Sequence, residues 1–179
     1  VDAWDPDVVA SVQAVSERVW GVDFHRETKK LTRCTYVRAS NKRFEEVLNA
    51  LGAIRVNERL GSYGHIRDVK IPEVIWLSPK PIIREFLRYL FEADGWASKD
   101  VPLVKFFSKY PAFIGDVQHL LLVFGITSTQ RNVIRTLNEK SFPGVELTLG
   151  ARESCLFFEQ IGFVSARKNS GAGSHYVKS

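Results

Sequence analysis

Two stretches of the chain, 105 residues apart, share the same order of proline, apolar positions and glycine. Pro6 opens PDVVASVQAVSERVWGV and Pro111 opens PAFIGDVQHLLLVFGI, and each stretch contains a Val-Gln pair before it ends at Gly21 or Gly125. Apolar residues at helical spacing behind a proline predict a helix, and the glycine predicts its end. The chain is therefore expected to fold as two similar units.

The similarity continues beyond these helices. FEEVLNALGAIRV corresponds to SCLFFEQIGFVSA, with Gly52 and Gly162 at matching places. Strand-like sequence lies between the two helices of each unit, as FHRETKKLTRCTYVRA in the first and as TSTQRNVIRTL and VELTLG in the second. Each unit thus predicts helix, two strands and helix, an α+β arrangement. Chance similarity between two α+β segments is the alternative, and the shared Val-Gln pair and near-constant offset disfavour it.

A further helix is predicted in front of the second unit. Ser78 can cap it, the prolines at 79 and 81 suit a first turn, and Gly95 is expected as a left-handed stop. One apolar stripe is expected along it, formed by Ile82, Ile83, Phe86, Leu87, Leu90 and Phe91. Short strands are predicted at 96–98 and 103–107. By the repeat offset, the matching helix of the first unit would precede Val1.

Two acids stand at the end of that helix, in FLRYLFEADGW. The last carbonyls of a helix carry partial negative charge, so Glu92 and Asp94 are disfavoured there unless a cation lies nearby. One interpretation is that both acids are tolerated in water beside a turn. The other is a divalent metal site formed by Asp94 and helix-end carbonyls, since Mg²⁺ prefers oxygen ligands.

Composition narrows the class of protein. The 179 residues suffice for one sizeable core or two small ones, and a net charge of +5 is compatible with nucleic acid without requiring it. Cys34 and Cys155 have no cysteine or histidine partners at ligand spacing, which disfavours a disulfide framework or a zinc site and favours a reducing cytoplasm. His119 is expected to be a helix residue without a ligand role. No apolar run is long enough to predict a membrane span.

FLRYLFEADGW resembles the dodecapeptide motif of LAGLIDADG homing endonucleases, of the type often embedded in inteins. VKIPEVIW is similar to the segment that precedes the second motif, and DVQHLLLVFGITS and FFEQIGFVSARK are similar to two later blocks. The resemblance implies two pseudo-symmetric αββαββα half-domains with motif helices side by side and curved sheets that bind DNA. It divides the chain into an incomplete first half-domain at 1–60, a linker at 61–80 and a second half-domain at 81–179.

The resemblance also implies roles for individual residues. Asp94 would be catalytic and bind the metal, Mg²⁺ or a similar divalent cation, and Lys70 would be a catalytic lysine near the phosphate. Glu92 occupies an acidic position that is usually structural. Lys168 and Lys178 are candidates for a second lysine. The implied activity is metal-dependent hydrolysis of both strands of a double-stranded DNA site.

Two departures from the family pattern leave an alternative open. The partner motif and its acid are not in these residues, and Tyr89 stands where glycine commonly lets the motif helices approach. A phenol there is expected to push the helices apart or to turn outward. Residues for protein splicing are not visible, so a missing N-terminal segment or an intein splicing domain is the expected partner. The alternative is a catalytically inactive DNA-binding or structural remnant of the same fold.

Basic residues follow the predicted strands of both units. Strands send alternate side chains to one face, and such a face fits the major groove of duplex DNA in the cytoplasm, at the nucleoid. The candidate DNA-binding residues are Lys29, Lys30, Arg33 and Arg38 in the first unit and Lys105, Lys109, Arg131 and Arg135 in the second. An ordinary solvated face is the competing interpretation.

Overall fold

The computed structural model describes residues 5–22, 25–28, 35–38, 41–52, 56–57, 62–63, 69–137 and 139–170. The predicted DNA-binding residues Lys29, Lys30 and Arg33 and the candidate lysine Lys178 lie outside these ranges. The helices of the described part are α1 (Pro6–Trp20), α2 (Lys42–Ala50), α3 (Glu73–Trp76), α4 (Lys80–Asp94), α5 (Pro111–Leu122), α6 (Ala151–Gln160) and α7 (Ala166–Asn169). Its strands are β1 (His25–Thr28), β2 (Thr35–Arg38), β3 (Val56–Asn57), β4 (Ser62–Tyr63), β5 (Gly95–Ala97), β6 (Val104–Ser108), β7 (Thr129–Leu137) and β8 (Lys140–Leu149).

The same turn follows each pair of corresponding helices. Gly21 after α1 has φ 60° and Gly125 after α5 has φ 70°, while Gly52 after α2 has φ 71° and Gly162 after α6 has φ 66°. Glycine adopts this left-handed conformation without the steric cost that a Cβ brings, which is why it ends helices. The order α1–β1–β2–α2 thus recurs as α5–β7–β8–α6, with the same residue type at each helix end.

The largest sheet has four antiparallel strands in the order β5-β6-β8-β7. Strand β8 begins at Lys140, five residues before the predicted start of VELTLG, because Lys140–Pro143 pair only with β7 in a long hairpin. Pro143 is tolerated there since β6 ends its pairing at Val145 and asks no hydrogen bond of it. The pairs β1-β2 and β3-β4 form two separate two-stranded ladders.

The main core of the described residues lies between one face of this sheet and helices α4, α5 and α6. Strand alternation turns Phe106 of β6 and Leu147 of β8 inward, and both are almost fully buried. Helix α4 contributes Ile83, Leu87 and Phe91 at a spacing of four residues. The ring of Phe91 lies 5.1 Å from that of Phe106. The prediction of an α+β fold is confirmed.

Two details of the predicted helix α4 are wrong. Ser78 does not cap it, because its hydroxyl donates to the carbonyl of Val74 and the helix begins after Pro79. Gly95 is not a left-handed stop either, since its φ of −84° and ψ of 158° are extended and already belong to β5. Glycine is needed for another reason: a Cβ there would lie 2.5 Å from the carbonyl oxygen of Phe91.

The apolar stripe of α4 has two faces rather than one. Ile83 is buried in the core, whereas Ile82 is half exposed. Ile82 lines an open groove of about 520 Å³ on the other side of the helix, together with Ile75, Glu85, Phe86, Tyr89 and Leu90. No helix in the described ranges is long and apolar enough to cross a membrane.

Substitution of Phe91 tests how far the core depends on α4. Phe91→Ala removes a fully buried ring between β6 and α6 and should lower the free energy of unfolding by about 3–5 kcal/mol. The matched control is Phe142→Ala, because Phe142 is 46% exposed and should cost far less. Chemical denaturation of both variants measures the difference, and equal losses would contradict this placement of Phe91.

Candidate active site and nucleic-acid interface

The two acids at the end of α4 point in different directions. Asp94 is the last helical residue and is exposed, and it accepts no hydrogen bond from the described residues. Glu92 is only 8% exposed. Residues two apart in an α-helix are separated by about 200° around its axis, so one acid can face solvent while the other faces the protein. Asp94 is therefore the acid that a ligand can reach.

The carboxylate of Glu92 is fully engaged by the segment that leads into α7. One of its oxygens accepts hydrogen bonds from the backbone N–H groups of Val164 and Ser165, each at 2.9 Å. The other accepts from the hydroxyl of Ser165 at 2.9 Å. Ser165 in turn caps α7 by accepting from the N–H of Lys168. Glu92 thus ties α7 to the last turn of α4.

Lys168 supplies a cation at the same helix end. Its ammonium donates to the carbonyls of Glu92, of Gly95 at 3.0 Å and of Phe91 at 3.5 Å. It also lies 3.7 Å from the Glu92 carboxylate, and both side chains are largely buried. Burial lowers the pKa of Lys168, and the negative charge of Glu92 opposes that shift. The ammonium offsets the partial negative charge of the helix end.

The ammonium of Lys168 changes the predicted metal site. Helix-end carbonyls were possible metal ligands, but those of Phe91 and Glu92 already accept from Lys168. In the part of the chain that the structure describes, no three His, Cys, Asp or Glu residues are grouped as a metal site. Asp94 still fits one position, because Mg²⁺ is commonly held by one or two carboxylates together with substrate phosphates and water.

Helix α1 docks against α7 and α4. The carboxylate of Asp5 accepts two hydrogen bonds from the guanidinium of Arg167, at 2.8 and 2.7 Å, which lower the pKa of Asp5. Asp7 accepts from the N–H of Ala166. A cavity of about 460 Å³ lies between these elements, lined by Asp5, Val8, Val12, Tyr89, Glu92, Ala93, Arg167 and Lys168.

Tyr89 is directed toward α1. Its hydroxyl forms a hydrogen bond with the hydroxyl of Ser11, and its ring lines both the cavity beside α1 and the apolar groove on α4. The phenol is thus turned aside toward a helix of the first unit.

Lys70 precedes α3 with its side chain exposed. Its neighbours anchor the segment, since Val69 packs against the core and Ile71 is 5% exposed. No contact between Lys70 and Asp94 is found among the described residues. A role for Lys70 near the acid stays a prediction.

Three of the predicted DNA-binding residues come together on the face of the sheet opposite the core. Lys105 of β6 and Arg131 and Arg135 of β7 all contact Glu146 of β8, at 2.9, 3.0 and 3.2 Å. We call these four residues the Glu146 cluster. Lys109 lies apart from it, over the ring of Tyr110, and Arg38 ends β2 in a separate ladder.

Glu146 was not a predicted site residue. Strand alternation turns it away from the core while Val145 and Leu147 face inward, and the three cations then cover it to 8% side-chain exposure. Burial raises its pKa, but hydrogen bonds from Lys105, Arg135 and Arg131 outweigh this and hold the pKa below its usual value. The alternation in VELTL gave the signal, because it sets one acid among basic strands.

Comparison with known proteins gives the same fold. Residues 81–162 match the model of a LAGLIDADG-like domain. The chain contains a domain of the LAGLIDADG family. Structures of I-DmoI, a homing endonuclease, are similar: in complex with DNA and Mn the TM-score is 0.56 at 16% identity over 86% of this chain and 72% of that one. With DNA and Ca the TM-score is 0.58 at 14% identity, over 86% and 66%. At this identity the likeness shows the fold.

Curated relatives of the LAGLIDADG-like chain are larger proteins with other names. A probable translation initiation factor IF-2 of Methanocaldococcus jannaschii is 28% identical over 54% of this chain and 8% of its own length. A DNA polymerase II large subunit of Thermococcus kodakarensis is 32% identical over 62% and 7%. A DNA gyrase polypeptide of Mycolicibacterium flavescens is 34% identical over 65% and 20%. The matches thus span a fifth or less of these relatives.

Isosteric changes at the two acids of the LAGLIDADG motif should have opposite effects on stability. Glu92→Gln weakens three hydrogen bonds and removes the charge beside Lys168, which should cost on the order of 2 kcal/mol of unfolding free energy. Asp94→Asn removes an exposed charge at a helix end and should leave stability unchanged or slightly raised. Thermal and denaturant melts compare the pair, and a larger loss for Asp94→Asn would refute this division of roles.

The lowered pKa of Glu146 predicts a pH effect. Its folded-state pKa lies below the usual value near 4.5, so its ion pairs stabilise the fold above that pH and the contribution is lost as pH falls below it. Unfolding free energy should therefore decline more steeply with acid in the parent than in Glu146→Gln, while the contribution of Asp5 stays in both. Parallel acid profiles would show that the Glu146 cluster adds no stability.

Proposed function

We propose that the chain is the DNA-cleaving part of a site-specific homing endonuclease that hydrolyses both strands of duplex DNA with a divalent metal. The observation that carries this proposal is the division between the motif acids: Glu92 is buried and satisfied, while Asp94 is exposed and accepts nothing from the described residues. An acid kept unpaired at a helix end costs stability without a ligand, so a ligand is the simplest reason for it.

The chemistry follows from what each residue can do. Asp94 would hold one divalent ion, preferably Mg²⁺, which when bound activates water and neutralises charge on the phosphate. Lys70 would add positive charge beside the scissile phosphate. Lys168 holds the carbonyls of the last α4 turn in place, which fixes the direction of Asp94. A second acid would come from a second motif helix, outside these residues, packed on the open groove of α4.

Duplex DNA would lie across the outer face of the sheet. Lys105, Arg131 and Arg135 point to that face, and three cations around one acid leave it positively charged. The I-DmoI structures hold DNA with Mn or Ca, which supports duplex DNA and a divalent ion as ligands here. Lys29, Lys30, Arg33, Arg38 and Lys109 are proposed as further contacts. Action on DNA places the protein in the cytoplasm, at the nucleoid.

The relatives support an inserted module. Segments similar to this chain occupy 7 to 20% of an initiation factor, a polymerase and a gyrase, which share no activity that would explain a common domain. A domain carried inside unrelated hosts, as in an intein, accounts for this distribution. The proposed half-domains at 1–60 and 81–179, joined by 61–80, would then be the endonuclease of such an element.

Cleavage by an Asp94 variant tests the proposal. The 179-residue chain is extended at its N-terminus by a second motif helix bearing an acid, and incubated with Mg²⁺ and the uninterrupted host gene. Asp94→Asn should abolish strand cleavage, while duplex affinity stays within about twofold because Asp94 lies away from the Glu146 cluster. The matched control is Asp116→Asn, the same change on helix α5.

The outcomes separate the proposed enzyme from its alternative. Cleavage by Asp94→Asn at the rate of the parent would refute the catalytic role of Asp94. Duplex binding without cleavage by the parent would instead favour the inactive DNA-binding remnant, with Tyr89 as the first residue to change. Absence of both binding and cleavage would remove the DNA function altogether.

A further inference from the structure

The Glu146 cluster differs from an ordinary basic surface because its cations are already paired. Both oxygens of Glu146 are in use: one accepts from Lys105 and Arg131 and the other from Arg135. The carboxylate is 8% exposed, although it stands on the face opposite the core. Its burial is therefore produced by the three cations themselves.

The arginines remain open to a ligand on their outer side. The side chain of Arg131 is 67% exposed and that of Arg135 is 50% exposed. Each bonds Glu146 through one terminal nitrogen, so most of the five donors of each guanidinium remain available. Arg135 also stacks over the ring of Phe107, 4.3 Å from its centroid, which restricts its orientation further.

An anion inside a cation cluster affects phosphates and base edges differently. Phosphate carries a full negative charge, so Glu146 competes with it for the same cations and repels it. A guanine edge is a neutral acceptor and is repelled far less, and it rewards a guanidinium whose orientation is already fixed. The pairing thus weakens binding to arbitrary sequence more than binding to a matching sequence.

We propose that Glu146 is a positioning residue that gives this face its sequence discrimination by lowering its affinity for arbitrary duplex. The inference rests on the proposed DNA interface and goes beyond it, because it assigns a role to an acid that repels the ligand. Lys105, Arg131 and Arg135 would then act as oriented donors to bases rather than as free phosphate contacts.

The test compares variants that remove one negative charge at different places. Glu146→Gln and Glu146→Thr remove it from the cluster, and both should fold because the core lies on the other face of the sheet. Glu159→Gln removes the same charge from the exposed surface of α6. Glu146→Asp keeps the charge and shortens its reach. Circular dichroism confirms the fold of each variant.

Affinity for a mixed-sequence duplex is measured by fluorescence anisotropy across a salt series. Glu146→Gln or Glu146→Thr should bind roughly three- to tenfold tighter than the parent, with a log–log salt slope steeper by about one unit, since one more phosphate is neutralised. Glu159→Gln should change affinity by less than about twofold, because salt screens distant charges. Glu146→Asp should stay near the parent.

Selection from a random duplex pool, with arbitrary duplex in excess, measures discrimination. The parent should enrich defined sequences more strongly than Glu146→Gln. The proposal is overturned if the Glu146 variants bind arbitrary duplex no tighter than Glu159→Gln, or if enrichment is equal to that of the parent. If neither the parent nor any variant binds duplex, the DNA interface itself fails; if only the Glu146 variants bind, the competition is confirmed in its strongest form.

Discussion

The ammonium of Lys168 at the end of α4 is the interaction on which the rest of the site depends. A helix that ends in Glu92 and Asp94 collects negative charge from its carbonyls and from both acids. Lys168 places a buried cation against those carbonyls and near the Glu92 carboxylate. With the helix end compensated from inside, Asp94 can stay exposed without a partner of its own.

The same contacts join parts of the chain that are distant in sequence. Glu92 binds the segment before α7, and Arg167 and Ala166 of α7 bind Asp5 and Asp7 at the start of α1. The end of the motif helix is therefore fixed to a helix of the first unit through one short helix of the second. Tyr89 adds a direct contact to α1. Charged pairs, rather than a shared apolar core, connect the described parts of the two units, because the main cluster of buried residues begins at Ile71.

Much of the fold was predictable because it follows from local signals. Pro6 and Pro111 set helix starts and four glycines set helix ends, so the element order could be predicted before any contact was known. Gly95 was misassigned because a glycine needed for close approach to Phe91 looks like a left-handed stop in sequence. The direction of Glu92 and the partners of Lys168 depend on residues more than 70 positions apart, which no local pattern contains. Glu146 was missed because attention to basic residues passed over the acid that orders them.

The direct passage from α4 into β5 also fixes a distance. No loop separates Asp94 from the sheet, since Gly95 is already paired with Phe106 and Trp96 with Lys105. Asp94 thus stands two residues, or roughly 7 Å of extended chain, from the position opposite a member of the Glu146 cluster. Under the proposed function, covalent geometry alone would hold the cleaved phosphate at a constant offset from the bases that the sheet contacts, so such a protein could change its target sequence by altering strand residues while the place of the cut stayed the same.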